Sequence, residues 1–138
     1  MIIRTAKPED IDSIQNMFQA ATNTSGRPDD WIRLNNAGGL VVAETNEQIV
    51  GFGGIDLEAV EQVKWLYVTP SHQGTGLGSR ILERLEEIGW SEGCKVLRLH
   101  SAPGAEQFYR RHGYEAVKPD ESIGHDHDGV ELIKRRQN

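Results

Sequence analysis

The chain has one cysteine, Cys94, among its 138 residues, so no intramolecular disulfide can form. That usage fits a reducing compartment, and a cytoplasmic protein is expected. A lone cysteine ahead of an apolar run reads as a small buried hydrophobe, because a reactive thiol needs an activating partner. Positive charge is also scarce: 15 Lys and Arg against 21 Asp and Glu leave a formal net charge of -6. Nucleic acid is therefore not expected as a partner, since phosphate binding needs a basic surface. No apolar run is long enough to span a membrane. Met1-Ile2-Ile3-Arg4 opens no long apolar segment, so no secretory leader is expected. No repeat or low-complexity linker interrupts the chain, and a single domain over residues 1–138 is expected. That length buries a core without disulfides or metal.

Local patterning alternates helix and strand. Ile2 to Thr5 reads as a first strand. Pro8, Glu9 and Asp10 suit a helix start, and Ile11, Ile14, Met17 and Ala21 follow at helical spacing. A shorter helix is expected around Asp29 to Asn36. Leu40 to Ala43 and Gln48 to Ile55 read as strands joined by a turn at Thr45-Asn46-Glu47. Gly51, Gly53 and Gly54 in the second of these indicate a bulge, strand curvature or a close backbone approach. Gln62 to Val68 reads as a further strand with Val63, Trp65 and Tyr67 on one face, ended by Pro70. The next helix carries an apolar stripe of Leu77, Ile81, Leu85 and Ile88, with Glu83, Arg84, Glu86 and Glu87 on the wet side. Lys95 to His100 alternates as a strand. Ala105, Phe108, Tyr109 and His112 mark one face of a short helix, with Gly113 as its C′ residue. Tyr114 to Val117 and Val130 to Lys134 read as closing strands. The sum is an α/β domain.

The chemistry is concentrated in Gln73-Gly74-Thr75-Gly76-Leu77-Gly78, where a strand feeds a glycine-rich loop that opens a helix. Glycines let backbone N–H groups turn toward an anion, and the helix start adds unpaired donors and a positive dipole end. Such a site takes phosphate or pyrophosphate. A nucleotide P-loop would need a lysine that this loop lacks. A dinucleotide fingerprint would need a different glycine spacing and an acidic residue about 20 positions on, and Cys94 to Arg98 offers none.

The loop, with Val68-Thr69-Pro70 ahead of it, resembles the acyl-CoA pyrophosphate loop of the GNAT superfamily of N-acetyltransferases, whose signature is Gln/Arg-x-x-Gly-x-Gly/Ala. A second element, Phe108-Tyr109-Arg110-Arg111-His112-Gly113-Tyr114, stands where that family places its late helix and following strand. The resemblance covers nearly the whole chain. It implies a three-layer fold, a mixed central sheet of about six or seven strands flanked by helices, with a V-shaped cleft between the fourth and fifth strands. It implies acetyl-CoA as co-substrate, held by Gln73, Gly74, Thr75, Gly76, Leu77 and Gly78. The main chain at Leu66, Tyr67 and Val68 would pair with the pantetheine arm, and Tyr109 would protonate the leaving thiolate.

The elementary chemistry agrees with those assignments. An amine attacking a thioester creates an oxyanion, which a strand N–H near Leu66 or Tyr67 can stabilise. A phenol, ordinarily of pKa about 10, can donate to a thiolate. The base stays open between Glu61, His100 and water. Trp65 reads as core or cleft wall, and Arg110 and Arg111 as a solvated face, one of which could approach a CoA phosphate. His125-Asp126-His127-Asp128 reads as substrate-facing; no metal is expected there, since a site needs further ligands. The expected activity is direct acetyl transfer from acetyl-CoA to an amine of a small molecule or protein. The alternative is a non-catalytic acyl-CoA sensor, which would need neither Tyr109 nor an acceptor pocket. A longer acyl chain and a homodimer are both compatible with the resemblance.

Overall fold

The computed structural model of the chain describes residues 1–23, 28–122 and 129–137. Its strands are β1 (Ile2–Thr5), β2 (Leu40–Thr45), β3 (Gln48–Ile55), β4 (Val63–Val68), β5 (Val96–Ser101), β6 (Glu115–Ala116) and β7 (Val130–Arg135). Its helices are α1 (Ile11–Thr22), α2 (Pro28–Asn36), α3 (Leu77–Ser91) and α4 (Glu106–Arg111). Pro8–Asp10 forms one 3₁₀ turn ahead of α1. Asn23 stops α1 in the left-handed region at φ 55°, a conformation asparagine tolerates. Asn46 and Glu47 both take positive φ, 50° and 62°, giving β2 and β3 the two-residue turn whose twist matches the strands.

The sheet is divided. Strands β1-β2-β3-β4 form one antiparallel sheet and β5-β7-β6 a second. The architecture is the expected three-layer α/β fold, with the break at the expected place. No ladder joins β4 to β5, so the expected cleft between the fourth and fifth strands is where the seven strands part into the two sheets. What links them there is a side chain: the Arg98 N–H donates to Gln62 Oε1 at 3.0 Å.

Two apolar cores cover the faces of the first sheet. On one side α3 packs Ile81, Leu82 and Leu85 against Val41, Ala43, Ile55 and Val63, and this core continues under the second sheet to Leu97, Leu99 and Leu132. On the other side Ile14, Trp31 and Leu34 from α1 and α2 cover Leu40, Val42 and Phe52. Phe18 joins this core, whereas Ala21, expected on the same stripe, is exposed.

The glycines of β3 serve close approach. A Cβ on Gly53 would stand 2.8 Å from both Ile81 Cγ2 and Leu85 Cδ1, so α3 lies directly on this backbone. A Cβ on Gly54 would meet the Trp65 ring at 2.7 Å.

Two sequence expectations are corrected. Val63, Trp65 and Tyr67 do not share a face. The register steps from Gly54↔Trp65 to Ile55↔Val63, so Lys64 is an extra residue that breaks the alternation. Val63 turns toward α3, while Trp65 and Tyr67 turn toward α1 and α2. Glu86 is not on the wet side of α3. It is buried at 6% exposure, because Lys134 of β7 reaches its Oε1 at 3.1 Å and supplies the counter-charge.

Candidate active site

Past Val68 the chain makes one 3₁₀ turn, Pro70–His72, and then runs through Gln73 to Gly76 into α3. Side chains fix this path. Gln73 Nε2 donates to the Val68 carbonyl at 2.9 Å, and Thr75 Oγ1 donates to the His72 carbonyl at 2.6 Å. His72 Nδ1 lies 3.2 Å from Thr69 Oγ1 and 3.0 Å from Ser71 Oγ. Gly74 and Gly76 have φ of 78° and 83°, and a Cβ on either would meet nothing within 4 Å. Their glycine character therefore answers to backbone conformation and to the open space before them.

That space is a cavity of about 440 Å³ lined by Val68, His72, Gln73, Gly74, Gly76, Gly78, Ser79, Phe108 and Arg111. The N–H groups of Gly74 to Ser79 donate to no other described residue, and the first turn of α3 has no side-chain cap. The first hydrogen bond closing the turn runs from Arg80 N–H to the Gly76 carbonyl at 3.2 Å. An uncapped helix start beside a glycine turn is a concentration of donors with no protein acceptor, the arrangement that receives an anion. Arg111 adds an exposed positive charge on the facing wall.

Among the expected coenzyme residues, Val68, Gln73, Gly74, Gly76 and Gly78 line the cavity. Thr75 and Leu77 do not line it; the Leu77 side chain is 2% exposed and belongs to the core. Leu66 and Tyr67 lie on β4, whose outer edge has no partner strand among the described residues. Their side chains point to opposite cores. Ser79 and His72 were missed by sequence reasoning. Ser79 stands next to the glycine motif, and that adjacency was the available signal.

Helix α4 closes the far wall. Phe108 lies within 3.5 Å of where a Cβ on Gly78 would stand, and His112 Nε2 lies 2.8 Å from Ser79 Oγ. Tyr109 sits behind Phe108 with ring centroids 5.1 Å apart, and packs edge-on to Tyr114 at 5.9 Å. Burial pushes its phenol above the ordinary tyrosine value. Tyr114 is pushed much further up, by burial and then by the nearby Glu86 carboxylate.

Glu61 occupies the other end of β4. Val63 to Val68 spans roughly 17 Å at strand rise, and Glu61 lies two residues beyond Val63, half-buried. It has no hydrogen-bond or ion-pair partner among the described residues. His100 is on β5, where the backbone of Gly129 closes directly over its ring. Trp65 is half-buried and packs on Trp31 with centroids 4.6 Å apart, which makes it part of the second core. The His125 to Asp128 cluster lies outside the described residues.

A family model for the acetyltransferase (GNAT) domain matches residues 36–116, the stretch from the end of α2 to β6. An uncharacterized N-acetyltransferase of Methanocaldococcus jannaschii is 26% identical over 96 residues, which is 62% of this chain and 42% of that protein. The alignment thus spans less than half of that relative. Ard1 from Thermoplasma volcanium superposes with a TM-score of 0.80 at 15% identity, covering 99% of this chain and 98% of that one. Arabidopsis thaliana Naa50, solved with the bisubstrate analogue CoA-Ac-MVNAL, gives 0.77 at 16% identity, covering 98% of both chains. N-acetylglutamate synthase from Neisseria gonorrhoeae, solved with coenzyme A and N-acetyl-glutamate, gives 0.82 at 18% identity, covering 99% of this chain and 35% of that one.

Proposed function

Since the chain belongs to the GNAT acetyltransferase family, we propose that it transfers an acetyl group from acetyl-CoA to the amine of a small molecule or protein. The observation that carries this reading is a cavity of about 440 Å³ lined by Gly74, Gly76, Gly78 and Ser79, whose N–H groups have no acceptor among the described residues. Donors in that arrangement fit a pyrophosphate. The cavity's other wall, Phe108 and Arg111, suits an apolar and anionic ligand together.

Acetyl-CoA supplies an acetyl group activated as a thioester. The backbone from Gln73 to Gly78 holds the pyrophosphate. The free edge of β4 at Leu66 to Val68 offers main-chain donors and acceptors to an extended arm, as it would to an added strand. A donor N–H at Leu66 or Tyr67 stabilises negative charge on the carbonyl oxygen. Tyr109 Oη, a phenol protonated at neutral pH, delivers its proton to the sulfur. Glu61 takes the proton of the amine from the opposite end of β4, directly or through water. The acceptor itself belongs to the amines as a class. The similar structures were solved with ligands as different as a peptide-bearing analogue and an N-acetylated amino acid.

The test pairs calorimetry with turnover. CoA should bind, and acetyl-CoA with a panel of peptide, polyamine and amino-acid amines should release free thiol with at least one. CoA binding without thiol release across the whole panel would instead identify an acyl-CoA-binding module.

A further inference from the structure

Glu86 stands on the buried stripe of α3 with Leu82, Leu85 and Gly89, a row on which an apolar side chain is the ordinary choice. Lys134 Nζ donates to its Oε1 at 3.1 Å, which ties α3 to β7. A buried ion pair adds little stability over apolar residues of the same volume, but it fixes direction, because a partner that moves away leaves a charge uncompensated. What the pair directs is the Lys134 stem. Its Cε lies 3.4 Å from where a Cβ on Gly113 would stand, and its Nζ lies 5.7 Å from the centre of the Tyr114 ring. Gly113, at φ 91°, is the turn that ends α4, so the stem runs across that turn. Tyr109 belongs to the same turn. Its carbonyl accepts from the His112 N–H at 2.9 Å and from the Tyr114 N–H at 3.1 Å. Helix α4 is six residues long and none of them is fully buried, so it is too short to fix its own place. Among the described residues, the buried Tyr114 hydroxyl and Glu86 Oε2 have no hydrogen-bond partner. Packing and charge therefore hold the Tyr114 ring, and the Tyr109 ring rests on it.

We propose that Glu86 and Lys134 are positioning residues for Tyr109: their buried ion pair holds Lys134 against the turn after α4, which sets Tyr114 and, through it, the aim of the Tyr109 hydroxyl. This rests on the reading of Tyr109 as the group that protonates the departing thiolate. Neither Glu86 nor Lys134 lines the cavity, so the pair acts on the proton donor and not on the coenzyme. A catalytic group displaced by about 1 Å can lose roughly a hundredfold in rate. Contacts that bind the coenzyme are made elsewhere and survive that displacement. The pair therefore acts on kcat and leaves KM for acetyl-CoA in place.

The test replaces the pair by apolar residues of similar length, Glu86→Leu together with Lys134→Met. Because both charges leave at once, the melting temperature should stay near wild type or rise. Turnover of acetyl-CoA with a peptide, polyamine or amino-acid amine that releases thiol should fall about ten- to a hundredfold in kcat, with KM for acetyl-CoA within about twofold. Glu86→Gln keeps an oxygen for Lys134 Nζ but no charge, and should lose about three- to tenfold in kcat. It decides the matter if the double variant does not fold. In a Tyr109→Phe background the same substitutions should change kcat by less than about twofold, since they act through the missing hydroxyl. Fluorine NMR on protein labelled with 3-fluorotyrosine needs no acceptor. The Tyr109 line, assigned by its loss in Tyr109→Phe, should shift or broaden in Glu86→Gln while the Tyr67 line stays. A wild-type kcat in the folded variants, a loss undiminished in the Tyr109→Phe background, or an unmoved Tyr109 line would each overturn the proposal. A Tyr109→Phe enzyme with wild-type kcat would instead overturn the reading of Tyr109 beneath it. A pair that served only the fold would lower the melting temperature of Glu86→Gln and leave both kcat and the fluorine line unchanged.

Discussion

The Gln73 side-chain amide closes on the carbonyl of Val68 at 2.9 Å, so the first residue of the glycine loop is tied to the last residue of β4. This hydrogen bond helps to set the path by which the loop leaves the sheet, together with those of Thr75 and His72. Gln73→Ala should weaken CoA binding about three- to tenfold, the range of a single neutral hydrogen bond. The melting temperature should stay near wild type, because the bond is exposed. Gln73→Glu should bind worse than alanine, since it puts a carboxylate against a carbonyl and an anion. Calorimetry on the three proteins checks the order.

Gly76 separates conformation from space. Its φ is 83° and nothing lies within 4 Å of an added Cβ. Gly76→Ala should therefore cost only the left-handed conformation, about 1–2 kcal/mol, visible in chemical denaturation. Gly76→Asp should cost a similar amount of stability and abolish CoA binding, because its carboxylate enters the anion site. Equal CoA affinity in the two variants would contradict this account.

Gly53 tests the packing of α3 on β3. A methyl group there collides with Ile81 and Leu85 at 2.8 Å. Gly53→Ala should destabilise the protein by about 1–3 kcal/mol, the usual cost of overpacking. Its cost and that of Leu85→Ala should add to less than their sum in the double variant, measured by denaturant unfolding.

Tyr109→Phe removes one oxygen and keeps both ring contacts. CoA affinity and melting temperature should hold, while kcat falls toward the roughly 10²–10⁴-fold range of general acid catalysis. The loss should appear in kcat rather than KM, because the proton moves only as the sulfur departs. A kcat within about twofold of wild type, with chemistry rate-limiting, removes Tyr109 from the mechanism.

Asp10 links stability to pH. Its carboxylate accepts from Arg4 Nη1 at 2.7 Å, Arg4 Nη2 at 3.1 Å and the Lys7 N–H at 2.7 Å. The Arg4 guanidinium, then the Lys7 N–H, hold it below the ordinary aspartate value against the opposing effect of burial. A depressed native pKa gives stability that is full above the unfolded-state value, about 3.9, and is lost as pH falls through the native one. Asp10→Asn should lower stability at pH 7 by about 1.5–3 kcal/mol. It should also flatten the acid limb of the stability curve below the unfolded-state aspartate value of about 3.9.

The sequence was most informative where a local rule decides the structure. Asn46-Glu47 made the hairpin turn, Gly113 followed α4, and the face of Ala105, Phe108, Tyr109 and His112 is half-buried as read. It misled where a distant partner overrides the local pattern. Glu86 sits among acidic neighbours on α3, and only Lys134, 48 residues on, brings it inside. Strict alternation assigned Val63, Trp65 and Tyr67 to one face, because the extra residue at Lys64 is visible only against β3. The glycine motif lies along the cavity, but the wall opposite it was not legible, since Ser79 and His112 meet across 33 residues of chain.

The break between β4 and β5 also bears on how the molecule opens. No backbone ladder crosses it, so β5, β7 and β6 are held to the rest by α3 packing, the Lys134–Glu86 pair and the Gln62–Arg98 contact. Side-chain attachments of that kind can release while the first sheet stays hydrogen-bonded. The amide protons of β5 and β7 should then exchange with solvent through a smaller opening than those of β2 and β3. A ligand that touches both Val68 and Phe108 spans that break, and its binding should slow exchange in the second sheet more than in the first.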